Sequence, residues 1–119
     1  MRLPRGSCTS HHHRKMALTA DIVTAEIASV TTQLRSDFRA AAAAYRAPPP
    51  SGQQLLQKFH AARRAVLRPG GVACTEYLAP FLETIRQEDT SGLVTQRALC
   101  AVRAFLSAGL LTLDPANEA

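Results

Sequence analysis

The chain has 119 residues, enough for one small domain, and only 5% of them are aromatic, with no tryptophan. Small aliphatic side chains therefore have to fill most of the core. The formal net charge of +5 would suggest a nucleic acid or a membrane as partner, but residues 1–20 contain four of the basic side chains and no acidic one. The other 99 residues hold 10 basic and 9 acidic side chains, so the body of the chain gives no reason to expect nucleic acid binding.

Residues 1–20 are predicted to form a disordered basic tail. They contain no apolar run long enough for a signal peptide or a membrane span, and Pro4 and Gly6 oppose an amphipathic targeting helix. Consecutive histidines at positions 11–13 cannot all face one ion, and no second ligand cluster accompanies them, so we expect no metal site. Met16 is an alternative start to Met1.

The sequence predicts no catalytic residue and no cofactor. It has no Ser/His/Asp or Cys/His constellation and no glycine-rich phosphate loop, and His60 is the only histidine outside the tail. Three cysteines, Cys8, Cys74 and Cys100, are odd in number and lack metal or redox spacing. They fit a reducing compartment, and we expect a cytoplasmic protein without a small-molecule substrate.

The first half of the chain predicts two helices. The first spans residues 21–45, with an apolar stripe of Val23, Ile27, Val30, Leu34 and Phe38, and the prolines at 48–50 end it. Residues 47–53 form a proline-rich linker. Ser51 and Gln54 have capping-box spacing and predict the start of the second helix. The apolar side of that helix is Leu55, Leu56, Phe59, Ala62, Val66 and Leu67, and residues 68–71 end it.

The second half predicts a helical hairpin. Pro80 is tolerated only in a first turn, which places the third helix at residues 79–86 after a looser lead-in at 76–78. The core side of the third helix is Leu78, Phe81, Leu82 and Ile85, and that of the fourth is Thr95, Leu99, Val102 and Leu106, widened by Ala98 and Phe105. A polar connection at 87–92 separates the two helices, and Gly109 is placed to close the fourth.

These elements predict an all-α fold of about four helices in antiparallel hairpins, an armadillo-like α-solenoid fragment. The helical domain covers residues 21–113, and residues 114–119 are predicted to be a disordered end. Six basic and no acidic side chains lie between Asp37 and Glu76. They either form a solvated face that pairs with Glu83, Glu88 and Asp89, or a basic patch that contacts phospholipid or an acidic partner.

The hairpin sequence resembles the N-terminal region of the large ARF guanine-nucleotide exchange factors of the Golgi brefeldin A-resistance type, the group that includes plant GNOM. The residues that match the phrase PFL-x-VIRSEDT-TGPIT-x-x-AL-x-SV-x-KFL of that family are Pro80, Phe81, Leu82, Ile85, Arg86, Glu88, Asp89, Thr90, Gly92, Thr95, Ala98, Leu99, Val102, Phe105 and Leu106. Weaker similarity extends over residues 22–115. Ala25 replaces a usual glycine, Ala62 a leucine and Ala104 a lysine.

The resemblance implies the first half of a dimerisation and cyclophilin-binding (DCB) domain, an all-helical regulatory module. The exchange domain of the family has no counterpart in this chain. Implied partners are a second copy or other helical domains of the same exchange factor, with peripheral contact at Golgi membranes in vesicle trafficking. The alternative is an unrelated small helical protein that its basic tail directs to an organelle or to an acidic surface.

The outer face of the fourth helix is the candidate protein-interaction face. On a helical wheel it comprises Gln96, Arg97, Cys100, Arg103, Ala104 and Ser107. Because alanine occupies position 104, where the family commonly has lysine, we expect self-association to be weak and the substitution Ala104→Lys to strengthen it.

Overall fold

A computed structural model describes the backbone of residues 7–47, 49–70 and 73–111, and the side chains of these ranges from residue 19 onward. Four helices form this part of the chain: α1 (Ser7–Ala43), α2 (Pro50–Leu67), α3 (Cys74–Arg86) and α4 (Gly92–Ser107). No strand occurs within these ranges. The all-α prediction of four packed helices is confirmed.

The helices form a closed ring, in which each packs against the next and α4 packs against α1 as well as α3. Hydrogen bonds between helices show that neighbours run antiparallel. Ser51 in the first turn of α2 donates to Asp89 beyond the end of α3, and Ser91 at the start of α4 donates to Asp37 near the end of α1. One core therefore lies between four helices.

Helix α1 begins at Ser7, well before the predicted start at residue 21. Residues 1–6, the rest of the expected basic tail, and residues 112–119, which include the expected disordered end, lie outside the described residues. The helix ends before the prolines. Tyr45 adopts a left-handed φ of 59°, and the amide of Arg46 donates to the carbonyl of Ala41 at 2.7 Å, a Schellman closure.

The core takes apolar side chains from every helix. Its buried members are Val23, Ile27, Val30, Leu34, Leu55, Phe59, Ala62, Val66, Tyr77, Phe81, Val94, Ala98, Ala101 and Phe105. Three edge-to-face ring contacts tie α2, α3 and α4 together, between Phe59 and Phe81 (4.9 Å), Phe81 and Phe105 (5.2 Å), and Tyr77 and Phe105 (5.6 Å). These few rings occupy the centre of the core.

The capping-box prediction at Ser51 is wrong. Helix α2 begins at Pro50, Pro49 is its N-cap, and no side chain caps it. A proline fits the first helical turn because its missing amide hydrogen would have no partner there. Ser51 therefore lies inside the helix, and its hydroxyl bonds to Asp89 in the α3–α4 connection instead.

Helix α3 starts earlier than predicted, at Cys74, and includes Pro80 in its interior. A proline there removes one backbone hydrogen bond, a cost of about 3 kcal/mol in a helix interior. The preceding turn is held by Tyr77, which is 3% exposed and stacks edge-on against Phe105. Burial of this tyrosine stabilises the turn before the proline, so the helix begins upstream of Pro80.

The predicted core side of α4 is correct at Ala98 and Phe105 and wrong at Leu99 and Leu106. Val94, Ala98, Ala101 and Phe105 are buried, whereas Leu99 and Leu106 are 52% and 45% exposed. Leucine is the more hydrophobic residue, but alanine at 98 and 101 lets α4 approach both neighbouring helices closely. Because α4 packs against two helices at once, the face with the small side chains of Ala98 and Ala101 is buried, and Leu99 and Leu106 lie beside it. Gly109 closes α4 as predicted, with φ 74°.

Candidate interaction surface

The predicted face of α4 is only partly a free surface. Gln96, Arg97, Cys100, Arg103 and Ser107 are exposed, and Ala104 is half-buried. Arg97 turns towards α1 and donates to the hydroxyl of Ser29 at 3.0 Å and to its carbonyl at 3.3 Å. Ala104 lines an open groove against Ile22 and Glu26 of α1. One edge of the predicted face is therefore the seam between α4 and α1.

This seam changes what a lysine at position 104 would contact. Asp21 and Glu26 line the same groove as Ala104, so acidic groups of the same chain lie beside it. A lysine ammonium at position 104 could therefore pair with a carboxylate of its own chain, without a second copy. The exposed remainder of the face, around Cys100 and Arg103, stays the part that another molecule can reach.

The hairpin also has an apolar surface that was not predicted from the sequence. We call it the α3/α4 strip, and it comprises Leu78, Leu82 and Ile85 on α3 and Leu99, Val102 and Leu106 on α4. Leu99 and Leu106 are about half exposed, and the other four are half-buried. The sequence signal was present, because α4 has two overlapping apolar stripes and only one can face the core.

The six residues lie on facing sides of two antiparallel helices. At about 100° per residue, Leu99, Val102 and Leu106 fall within roughly 60° of one another on α4. Leu78, Leu82 and Ile85 do the same on α3, on the side away from the Lys58–Glu83 ion pair with α2. Leu78, Ile85 and Val102 pack against the core, so the strip is the outer rim of the α3–α4 contact.

The basic side chains of α2 find few acidic partners. Among the described residues, one ion pair is formed, between Nζ of Lys58 and Oε2 of Glu83 at 2.7 Å. Both side chains are substantially exposed to solvent. Asp89 accepts from Ser51 instead of a basic residue. Of the two predicted alternatives, pairing with the hairpin acids is thus seen at Lys58 and at no other basic residue that the structure describes.

The rest of this basic side lies along α1 and α2. A guanidinium nitrogen of Arg35 lies 3.1 Å from Nε2 of His60, which requires that ring nitrogen to accept and the ring proton to sit on Nδ1. Arg39, Arg63 and Arg64 are exposed on the same two helices. Together they form a positively charged surface on the opposite side of the bundle from the α3/α4 strip.

The motif between α3 and α4 has a structural role at one end of the bundle. Ser91 caps α4 by accepting from the Val94 amide at 3.2 Å while its hydroxyl donates to Asp37. The hydroxyl of Thr90 lies 3.2 Å from that of Thr95, and Asp89 accepts from α2. These bonds fix the hairpin connection to α1 and α2. The α3–α4 connection therefore helps to hold one end of the bundle together.

Among the described residues, Tyr77 has a pKa that departs from its ordinary value. Burial raises its pKa above the ordinary value of 10.0, because the phenolate would lose hydration, and the nearby Cys74 thiolate raises it further. Cys74 is half-buried and Cys100 exposed, and neither is in a disulfide. No group of three or more metal-binding side chains occurs in the parts of the chain that the structure covers. The histidine run at 11–13 lies outside the described side chains.

Within the same described ranges, no helix has the length and hydropathy of a membrane-spanning segment. Comparison with known proteins adds no family assignment, since no protein-family model and no solved structure matches the chain.

Proposed function

We propose that the chain is a non-catalytic interaction module related to the N-terminal DCB region of the large Golgi ARF exchange factors. Its role would be to bind other helical domains of such a factor, or a second copy, and so to regulate recruitment to Golgi membranes. The proposal rests on the sequence resemblance of the hairpin and on one observation. Apolar leucines lie exposed on that same hairpin, where Leu99 and Leu106 are 52% and 45% exposed.

Absence of catalysis is part of the proposal. Nucleotide release from purified ARF, followed with a fluorescent guanine nucleotide, is expected to proceed at the same rate with and without the chain. A purified exchange domain serves as the positive control. Acceleration by the chain alone would overturn the non-catalytic assignment.

Partner binding is tested with the purified N-terminal helical regions of large ARF exchange factors, immobilised one at a time. We expect micromolar binding of the chain to at least one of them. The double substitution Leu99→Ser with Leu106→Ser should weaken it, and Leu93→Ser is the matched control. Leu93 is a leucine of the same helix with 57% exposure on another side. Failure to bind any of these regions would contradict the relationship.

A second candidate function is attachment to an anionic surface through the α1/α2 arginines. It is favoured by the observation that Arg39, Arg63 and Arg64 lie exposed on two adjacent helices. Vesicles with 30% phosphatidylserine should then bind the chain at 50 mM salt and release it at 300 mM. Arg63→Gln with Arg64→Gln should abolish the binding, whereas Arg103→Gln on α4 should not.

A further inference from the structure

We propose that the α3/α4 strip binds the apolar face of an amphipathic helix whose flanking side chains are acidic. This inference deepens the proposed function by giving the chemistry of the partner, and its geometric basis is independent of the ARF relationship. The observations that carry it are the exposure of the strip, its position between two helices, and the sign of the charges beside it.

The shape of the strip suits a third helix. By helical geometry, Leu82 of α3 and Leu99 and Leu106 of α4 lie on the outer edges of the α3–α4 contact, with Val102 nearer the core, so we expect a furrow between the two rows. A helix laid along such a furrow places its own residues at i, i+3, i+4 and i+7 against both rows. The same mode closes the ring inside the molecule, where every helix already packs between two others.

Among the residues that the structure describes, the charges beside the strip have one sign. Arg86, in the last turn of α3, and Arg103, in the middle of α4, are exposed and lie on the outward side of the two helices. The hairpin acids face elsewhere. Glu83 pairs with Lys58 of α2, and Glu88 lines a groove at the C-terminal end of α1. Glu76 lies on the α2 side of α3 by helical geometry.

Positive flanks argue for an acidic partner and against a second copy. In a two-fold symmetric dimer through this strip, Arg86 and Arg103 of both copies would crowd around the contact without an acidic group to meet them. An acidic helix turns the same positions into favourable pairs. A membrane fits less well, since none of the six strip residues is aromatic and the chain contains no tryptophan to anchor it.

The direct test uses two synthetic helical peptides as probes. Both have leucine at i, i+3, i+4 and i+7 with a fluorescent label, one with glutamate at the flanking positions and one with lysine. Fluorescence anisotropy with the full chain should show binding of the glutamate peptide. The lysine peptide should bind more weakly by about fivefold for each of the two arginines. Equal binding of the two peptides would overturn the role of Arg86 and Arg103.

Substitutions in the chain locate the site. Leu99→Ser with Leu106→Ser should reduce affinity for the glutamate peptide at least tenfold, and Leu93→Ser should leave it unchanged. Leu99 and Leu106 are both about half exposed, so this double variant should keep the circular dichroism spectrum and melting temperature of the native chain. Arg103→Glu should make the two peptides bind about equally, and Arg86→Glu with Arg103→Glu should reverse their order. A double variant that folds normally and binds unchanged would show that the strip is not the site.

Two further measurements separate the rival occupants. Sedimentation equilibrium should find a monomer. If it finds a dimer that the double substitution Leu99→Ser with Leu106→Ser dissociates, the strip binds a second copy and not an acidic helix. Phosphatidylserine vesicles should bind no differently to this variant, and a loss of vesicle binding would assign the strip to lipid.

If the glutamate peptide binds but no exchange-factor region does, this inference stands and the family proposal fails. If such a region binds and the leucine substitutions have no effect, the family proposal stands and this inference fails.

Discussion

The hydroxyl of Ser91 donates a hydrogen bond to a carboxylate oxygen of Asp37 at 2.6 Å, across 54 positions of sequence. The same oxygen of Ser91 accepts from the amide of Val94 and so caps α4. One side chain thus begins the last helix and ties it to the first. The opposite carboxylate oxygen of Asp37 accepts from Gln33, which holds the acid in place.

Substitution Ser91→Ala should lower the free energy of unfolding by about 1–2 kcal/mol, because it removes both the helix cap and the bond to the carboxylate. Urea denaturation followed by circular dichroism measures the change. Ser107→Ala, at an exposed serine in the last turn of the same helix, should change it by less than about 0.5 kcal/mol. In a double-mutant cycle, Asp37→Ala and Ser91→Ala should be less than additive, and strict additivity would contradict the coupling.

Two glycines in first helical turns offer a matched pair. A Cβ on Gly52 of α2 would lie 3.0 Å from Cε1 of the Phe38 ring on α1, whereas a Cβ on Gly92 of α4 would meet nothing within 4 Å. Gly92→Ala should therefore leave stability unchanged or raise it by up to about 1 kcal/mol. Gly52→Ala should lower it by about 1–2 kcal/mol, because the steric clash exceeds the gain in helix propensity. Thermal melts of both variants test this, and Phe38→Leu should relieve the effect of Gly52→Ala.

The register of α4 can be tested by comparing Phe105 with Leu99. Phe105 is fully buried between Tyr77 and Phe81, and Phe105→Ala should cost about 3–5 kcal/mol of stability. Leu99→Ala should cost less than about 1 kcal/mol, since half of that side chain already contacts water. The sequence-based prediction places Leu99 in the core. A large loss of stability in Leu99→Ala would therefore support that prediction against the register of the structure.

Tyr77 should make the stability pH-dependent in the alkaline range. Its pKa is raised above 10.0 in the folded chain, so the unfolded chain loses the phenolic proton first as pH rises. The contribution of the buried neutral phenol is complete below about pH 10 and is lost as pH increases through the folded pKa. Urea midpoints between pH 9 and 11.5 should fall less steeply for Tyr77→Phe than for the native chain.

A spectroscopic control assigns this effect. The chain has two tyrosines, and Tyr45 is 98% exposed. In the Tyr45→Phe variant, the absorbance change of phenol ionisation at about 295 nm comes from Tyr77 alone. It should be centred above pH 10.0, and a midpoint at or below that value would contradict the burial effect.

Ala104→Lys should act within the chain. The new ammonium would lie in the groove that Asp21 and Glu26 line, so the melting temperature at low salt should rise slightly, by the equivalent of about 0–1 kcal/mol. Adding Glu26→Gln should remove most of the gain. The expectation drawn from the family, that this lysine strengthens a dimer, is tested in the same samples by sedimentation equilibrium.

Part of the candidate surface was accessible from the sequence. Cys100 and Arg103 were placed on the outer face of α4 by spacing alone, and they are exposed. Leu99 and Leu106 were assigned to the core because their spacing with Thr95 and Val102 fits one face of a helix. Periodicity gives the angle between two stripes on one helix, but it does not state which stripe the neighbouring helices cover.

Local signals in the sequence were enough to predict an all-α fold, the four helices of the described residues and roughly where they break, because apolar spacing, prolines and glycines act over a few residues. Packing between distant segments set the closing of the ring, the start of α3 before Pro80 and the burial of Ala98 and Ala101 on α4. It also paired Ser91 with Asp37 and Ser51 with Asp89. Each of these depends on how closely distant segments approach one another, and that distance is set by the packing of all four helices together.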